Sequence, residues 1–441
     1  MKVSILSTSD HSGGAARAAT RLNTALAKSG IDSTMLVGNK QSDHWRITGP
    51  QGKLKKFANQ FLPAIENFAA GLQSTTNPAQ HSLARTTSIK ASTINHSTAD
   101  LVNIHWICRG FLSIEEIGRI TKPLVWTFHD MWPFCGAEHL STDDAEARWK
   151  HGYTKDNRDP AHSGLDIDRY VWLRKQKAWK RPFQIVTPSK WLADCVRGSS
   201  LMQSWPVAVI PNPLDTNIFR PHPKELARGL LQLPREAKLI IFGAMDAIND
   251  PNKGWDLLSA ALRKLRNDAS NVHCAIFGQS EPKKSPDIGL PLHWMGVLRD
   301  EVTLALLYSA ADVMIVPSRI ENLPQAGTEA QACGCPVVAF NTCGLKEVVK
   351  HGETGYLATP LSSDDLATGI NWVLEDEDRH QLLSENARKR AVESWSQEKI
   401  SALYVELYQH CISAHRAPSG NNREPAKPSY FHTVPGMNRK S

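Results

Sequence analysis

The sequence predicts an α/β protein made of two doubly wound parallel-sheet units with additional helices at the C-terminal end. Three observations carry that expectation. Short β-branched runs that are almost wholly apolar recur with helical segments between them, the pattern of strands covered on both faces. A length of 441 residues corresponds to two or three domains at roughly 100–200 residues each. Between two series of strands lies a break that contains Pro211, Pro213, Pro221, Pro223 and Pro234, a density of proline that neither a helix nor a central strand tolerates.

In chain order, Lys2–Ser7 reads as the first strand, and Gly13-Gly14 opens a helix that runs through Lys28 and stops at Gly30. Further strands follow at Ser33–Val37, Leu101–Trp106, Leu124–Phe128, Gln184–Thr187 and Val207–Ile210. The second series comprises Lys238–Phe242, Val272–Phe277, Leu292–Met295, Val313–Val316 and Pro336–Phe340. Past a turn at Pro360, Ser362-Ser363 begins a helix whose first turn holds Asp364 and Asp365, placed to complement the positive end of its dipole. The boundaries are therefore residues 1–210 for one domain, 211–395 for the next, 396–415 for a helix crossing back to the first, and 416–441 for a disordered tail.

Lys53–Leu72 departs from the alternation. Leu54, Phe57, Phe61, Leu62, Ile65, Phe68, Ala69 and Leu72 recur at helical spacing behind Lys53, Lys55 and Lys56, with Pro63 expected to kink or divide the helix. Two readings stay open: a basic amphipathic stripe for peripheral contact with a membrane, or a helix that covers the domain's own core.

With 41% hydrophobic and 22% charged residues the chain has material for full cores and too little charge bias for disorder. The net charge of +7 is concentrated at the end, where Arg416–Ser441 holds five basic residues and one acid, so nucleic acid is excluded as the expected partner. Eight cysteines are an ordinary density and suggest free thiols in a reducing cytoplasm. Apolar runs such as Leu239–Phe242 fall far short of the ~18 residues a membrane span needs.

In an open parallel sheet, ligands bind beyond the carboxyl ends of the strands, where a glycine-rich turn feeding a helix presents N–H groups to an anion. Ser12-Gly13-Gly14-Ala15 is such a turn, or simply a tight one that needs positive φ; neither G-x-G-x-x-G nor the P-loop pattern occurs. The densest constellation runs from Pro317 to Pro336: Glu321 in a loop after a strand, a helix starting near Leu323-Pro324, and Glu329 more than a turn inside it. Two carboxylates flanking a helix N-terminus suit a ligand with hydroxyls at two places and phosphate between them. Cys333, Cys335 and Cys343 lack the fourth ligand of a zinc site, and no metal is expected.

Glu321 and Glu329, the following Ala-Cys-Gly-Cys-Pro-Val-Val and the segment Gly344-Leu-Lys-Glu347-Val-Val-x-x-Gly352-x-x-Gly355-Tyr closely resemble the donor-binding half of retaining glycosyltransferases of family 4. Ser12-Gly-Gly-Ala-Ala, Asn103-x-His105-Trp106, Trp126-Thr-Phe-His129-Asp130-Met-Trp-Pro-Phe134, Thr187-Pro-Ser-Lys-Trp191 and Ile210-Pro-Asn-Pro-Leu-Asp215 agree, and point to the bacterial exopolysaccharide and O-antigen branch. The resemblance implies the GT-B fold, two Rossmann-like domains facing a cleft, with the acceptor on the N-terminal side and a nucleotide-sugar donor on the C-terminal side. It further implies that Glu329 holds the ribose, that Glu321 contacts the transferred sugar, and that Asn322, Leu323, Pro324 and Gln325 lie near the diphosphate together with Lys253 in Pro251-Asn-Lys-Gly254. Gly13 and Gly14 join the donor side; His129 reaches a sugar hydroxyl or phosphate; Asp130 either orients it or acts on the acceptor; and Arg17 meets an anionic acceptor. The family's usual arginine after the strand-end glycine is replaced by Ala244-Met245-Asp246, which puts more of the phosphate on Lys253. Only Cys135 stands between the His129 motif and Cys195, so the loop Asp143–His162 is expected to be metal-free. The implied activity is metal-independent, retaining transfer of a hexose to a lipid-linked saccharide at the inner face of the cytoplasmic membrane; a non-catalytic sugar-nucleotide or polysaccharide binder is the alternative.

Overall fold

A computed structural model describes residues 1–243, 248–265 and 271–417, with the backbone alone for 53–60. Two units divide the chain, Met1–Ile210 with the segment from Ile400 onward, and Pro211–Lys399. The expected tail from residue 418 lies outside the described residues.

The first unit carries β1 (Lys2–Ser9), β2 (Asp32–Asn39), β3 (Ile47–Thr48), β4 (Gln73–Ser74), β5 (Leu101–Ile104), β6 (Leu124–Thr127), β7 (Ser163–Gly164), β8 (Gln184–Thr187) and β9 (Val207–Val209). Seven of them form one sheet in the order β3-β2-β1-β5-β6-β8-β9, every neighbouring pair parallel; β4 and β7 pair separately. Alternation explains the unbroken apolar runs. Val3, Leu101, Val125 and Val186 pack on one face, while Leu6, Val102, Trp126 and Ile185 pack on the other. The first of these faces is closed by Ile400, Tyr404, Leu407 and Tyr408 from the helix Gln397–Arg416, which starts one residue later and ends one later than the sequence suggests. Tyr408 accepts from Asn103 Nδ2 at 2.6 Å, and Tyr404 meets Thr127 at 3.1 Å.

The second unit has β10 (Lys238–Gly243), β11 (Val272–Phe277), β12 (Leu292–Gly296), β13 (Val313–Val316), β14 (Val337–Phe340) and β15 (Gly355–Ala358), all parallel in the order β12-β11-β10-β13-β14-β15. Both large sheets thus reverse direction once, between β1 and β5 and between β10 and β13. Those switch points are where doubly wound sheets open a crevice.

Four expectations need correction. β15 is missing from the sequence reading, because Gly355-Tyr-Leu-Ala is short and bounded by glycine. The proline-rich segment is not wholly irregular, since Lys224–Leu230 is helical after Pro223. Pro63 sits inside one continuous helix, Lys53–Ala70, rather than dividing it. Finally, the core-covering reading holds only in part for that helix's second half: Ala69 and Ala70 pack against the unit's core, whereas Phe61, Ile65 and Phe68 are 51, 55 and 76% exposed.

Candidate functional site

In the second unit, β10 leads to the short turn Pro251–Lys253, and β13 leads to the loop with Glu321. Asn252 ties the two together: its Nδ2 donates to Ile320 O at 2.8 Å, its Oδ1 accepts from Ile320 N at 3.0 Å, and its carbonyl accepts from Arg319 N. Lys253 Nζ consequently lies 2.8 Å from Glu321 Oε2, and the carboxylate's charge raises the Lys253 pKa. Glycines on both flanks permit this close fit. A Cβ on Gly254, where φ is +71°, would fall 2.0 Å from the Pro317 carbonyl, and one on Gly344 only 1.4 Å from that of Asn322.

Pro324 caps the helix Gln325–Ala332, which has no side-chain bond from its cap residue and no acidic residue in its first turn to offset the positive end of the dipole. Asn322, Leu323 and Gln325 are buried around that end. Glu329 is 0% exposed, and its Oε2 accepts from Tyr308 Oη at 2.8 Å. Tyr308 in turn packs edge-on against Phe277 with ring centroids 5.7 Å apart. The expected arginine position, Ala244-Met245-Asp246, lies outside the described residues. Arg319, unremarked in the sequence, pairs with Asp256 through two bonds of 3.0 and 2.6 Å beside the Lys253 turn.

In the first unit, Gly13 caps the helix Gly14–Lys28 with φ of 91°, and this helix also lacks an acidic first turn. Arg17 is half-buried in its first turn. His129, just past β6, faces His105, just past β5: His129 Nε2 and His105 Nδ1 are 2.8 Å apart, with the rings stacked at 5.1 Å. Trp126 Nε1 donates to the His105 carbonyl at 2.9 Å and fixes that strand end. Burial depresses both imidazoles, His129 to about 4 against the pull of Asp130, and His105 well below its usual value. Both rings are therefore neutral at pH 7 and act as hydrogen-bonding groups. The Asp130 carboxylate accepts from Trp106 Nε1 (3.0 Å) and Trp132 N (3.0 Å), and lies 2.7 Å from His139 Nδ1. Burial pushes its carboxyl up, but His139 and these donors outweigh that and hold it below the ordinary value. A small pocket is lined by His105, Trp106, His129, Asp130 and Trp132 among others.

His105 stands in the string Asn103-x-His105-Trp106, but nothing local marks its role. His139 and Tyr308 lie 9 and 21 residues from their partners and have no motif of their own.

Residues 12–218 match the family model described as Glycosyltransferase Family 4, and residues 233–390 match Glycosyl transferases group 1. The chain belongs to glycosyltransferase family 4. Its fold is GT-B. A D-inositol 3-phosphate glycosyltransferase of Thermobispora bispora is 32% identical over 49% of this chain and 54% of the relative. The lipopolysaccharide 1,2-N-acetylglucosaminetransferase of Salmonella typhimurium is 28% identical over 51% of this family 4 chain and 61% of its own. The chain thus spans little more than half the length of the curated relatives it matches. Among solved structures, the sucrose-phosphate synthase of Thermosynechococcus elongatus superposes with a TM-score of 0.63 at 18% identity, over 94% of this chain and 100% of the other. HepE of Anabaena, in complex with UDP-glucose, gives 0.60 at 18% identity over 93% and 99%. At such identities the likeness establishes the fold.

Proposed function

We propose that this family 4 chain is a retaining glycosyltransferase that moves a hexose from a nucleoside diphosphate to a hydroxyl of a growing, lipid-linked saccharide of a bacterial surface polysaccharide, with no metal at the diphosphate. The Lys253–Glu321 pair at the β10/β13 switch point, beside a helix N-terminus with no acidic residue in its first turn, carries the reading. As the anomeric C–O bond breaks, negative charge grows on the leaving diphosphate, and a fixed ammonium plus helix N–H groups stabilise it without the reorganisation that water would need. Glu321 is thereby released toward hydroxyls of the transferred sugar, and Glu329 takes the ribose. In the front-face scheme the acceptor oxygen bonds to the anomeric carbon on the side the diphosphate leaves, and the acceptor's proton passes to a leaving phosphate oxygen. His129, neutral and held by His105, donates to or accepts from the sugar.

The donor class is supported by HepE, whose structure holds UDP-glucose, and the saccharide setting by the lipopolysaccharide transferase. No helix among the described residues is long and apolar enough to cross a membrane. Access to a lipid-linked acceptor is assigned to the exposed stripe Phe61, Ile65, Phe68 and Leu72, lying at the inner face of the cytoplasmic membrane.

Incubation with a panel of nucleotide sugars and saccharide acceptors in EDTA should give product with the donor's anomeric configuration by NMR. An inverted linkage, or transfer that requires added Mn²⁺, would reject the proposal. Binding of a nucleotide sugar with neither transfer nor donor hydrolysis would favour the non-catalytic reading.

A further inference from the structure

Away from the Lys253 turn, three lone-pair-bearing side chains of the first unit face one another in its interior. His81 Nδ1 lies 2.7 Å from the Ala79 carbonyl, which can only accept, so Nδ1 carries the proton and Nε2 presents a lone pair. That Nε2 has no hydrogen-bond partner and stands 3.5 Å from Asp168 Oδ1. Glu138 is 5% exposed; one of its oxygens accepts from the Tyr153 hydroxyl, and the other, Oε2, has no partner. Ligand atoms from His81, Glu138 and Asp168 all fall within 4.8 Å of one another.

Two buried carboxylates and an imidazole lone pair facing one another call for positive charge between them, which either a shared proton or a cation supplies, and a divalent cation satisfies all three at once. Lys175, the buried ammonium nearby, is turned to the carbonyls of Trp132, Cys135 and Gly136. Each of the three groups also has a partner on its far side. The His81 Nδ1–H goes to Ala79 O, Glu138 accepts from Tyr153, and Asp168 Oδ2 accepts from Gln73 Nε2 at 2.6 Å. The Gln73 amide is itself oriented by accepting from Ile167 N. Outer partners of this kind, a carbonyl on the remote imidazole nitrogen above all, are what orient the ligands of a metal.

We propose that His81, Glu138 and Asp168 bind a divalent transition-metal ion, zinc by the mixed imidazole and carboxylate donor set, as a structural clamp inside the first unit. The ion joins three segments that β-pairing leaves nearly separate: the loop at His81, which makes a single bridge to Glu138, the turn 136–139, and the start of the helix Ile167–Ala178. Two positive charges balance the two carboxylates around a neutral imidazole. His139, next to Glu138, holds Asp130, so the clamp steadies the turn behind the His129 pocket. This departs from the expectation that the chain carries no metal, and it leaves the metal-free chemistry proposed at the diphosphate untouched.

The test uses the untagged full chain. Elemental analysis after growth with zinc should find about one zinc per chain, and dialysis against dipicolinate should lower the melting temperature in a way that added Zn²⁺ reverses. Glu138→Gln keeps the side-chain volume and the Tyr153 contact and should reduce bound zinc several-fold, as should His81→Ala. In wild-type protein loaded with Co²⁺, a tetrahedral visible absorption band should appear that Glu138→Gln lacks. A metal-free wild-type protein whose melting ignores both chelator and Zn²⁺ overturns the proposal, as does zinc bound equally by wild type and both variants.

Discussion

Lys253 and Glu321 neutralise one another in the ligand-free protein, so a diphosphate that recruits the lysine necessarily alters the carboxylate's partner. The two residues should therefore behave as a unit. Lys253→Ala is expected to lower kcat/KM by about 10²–10³, the loss typical of removing one fixed donor from a developing anion. Glu321→Gln should lower kcat, and the double variant should lose less than the two singles combined, with a coupling of about 0.5–3 kcal/mol. Strictly additive losses in transfer assays would show that the pair has no functional meaning. The two histidines make a separate prediction, about stability. Each is neutral in the folded protein, His129 down to about 4, whereas in the unfolded chain each takes up a proton near 6.5. The unfolded state then binds more protons between those values, so stability is complete above about pH 6.5 and declines as the pH falls toward 4. A melting curve series should show a shallower acid decline for His129→Gln than for wild type; identical slopes would contradict the buried neutral assignment. At this scale the sequence displayed His129, Glu321, Glu329 and Lys253 through short strings around them. It did not display how they pair, because nothing in the strings around His105 and Tyr308 sets them against His129 and Glu329 until the fold brings them alongside.

At the scale of elements, local chemistry was legible wherever it is set by neighbours in sequence. The Ser362 hydroxyl accepts from Asp365 N at 3.1 Å, as a serine before two aspartates suggests, and the apolar β-branched runs all became strands. Gly355-Tyr-Leu-Ala failed to announce itself because four residues with half-buried sides have no clear period, and pairing with β14 decides the matter. Lys53–Ala70 shows the converse. Its periodicity fixed the helix, but an apolar stripe reads alike whether it faces a core or water. With Phe68 76% exposed, replacing it by Ser should weaken sedimentation with anionic liposomes while leaving the melting temperature within a few degrees, since little buried area is lost. A large fall in melting temperature would return the stripe to the core, and unchanged sedimentation would remove it from the membrane.

For the molecule as a whole, the first unit is completed by a segment nearly two hundred residues beyond the rest of it. Ile400, Tyr404, Leu407 and Tyr408 close one face of its sheet, and burying each contributes about 1.5–3 kcal/mol against a net stability of about 5–15 kcal/mol. Ending the chain at Lys399 should therefore abolish the cooperative unfolding of the first unit in calorimetry, while Pro211–Lys399 alone retains a transition. Tyr408→Phe, which strands the buried Asn103 amide, should cost about 1–3 kcal/mol by denaturant titration. Survival of the first unit's transition after truncation would show that the helix is an accessory. The sequence by itself determined the number of units, the class of fold, most strands and the residues whose strings carry the family, because period, capping and turn chemistry act over a few residues. Only the tertiary structure decided that Lys253 meets Glu321 across 68 positions, that His105 holds His129, and that His81, Glu138 and Asp168 converge. Those juxtapositions follow from strand order and loop closure, which depend on long-range packing that no local pattern encodes.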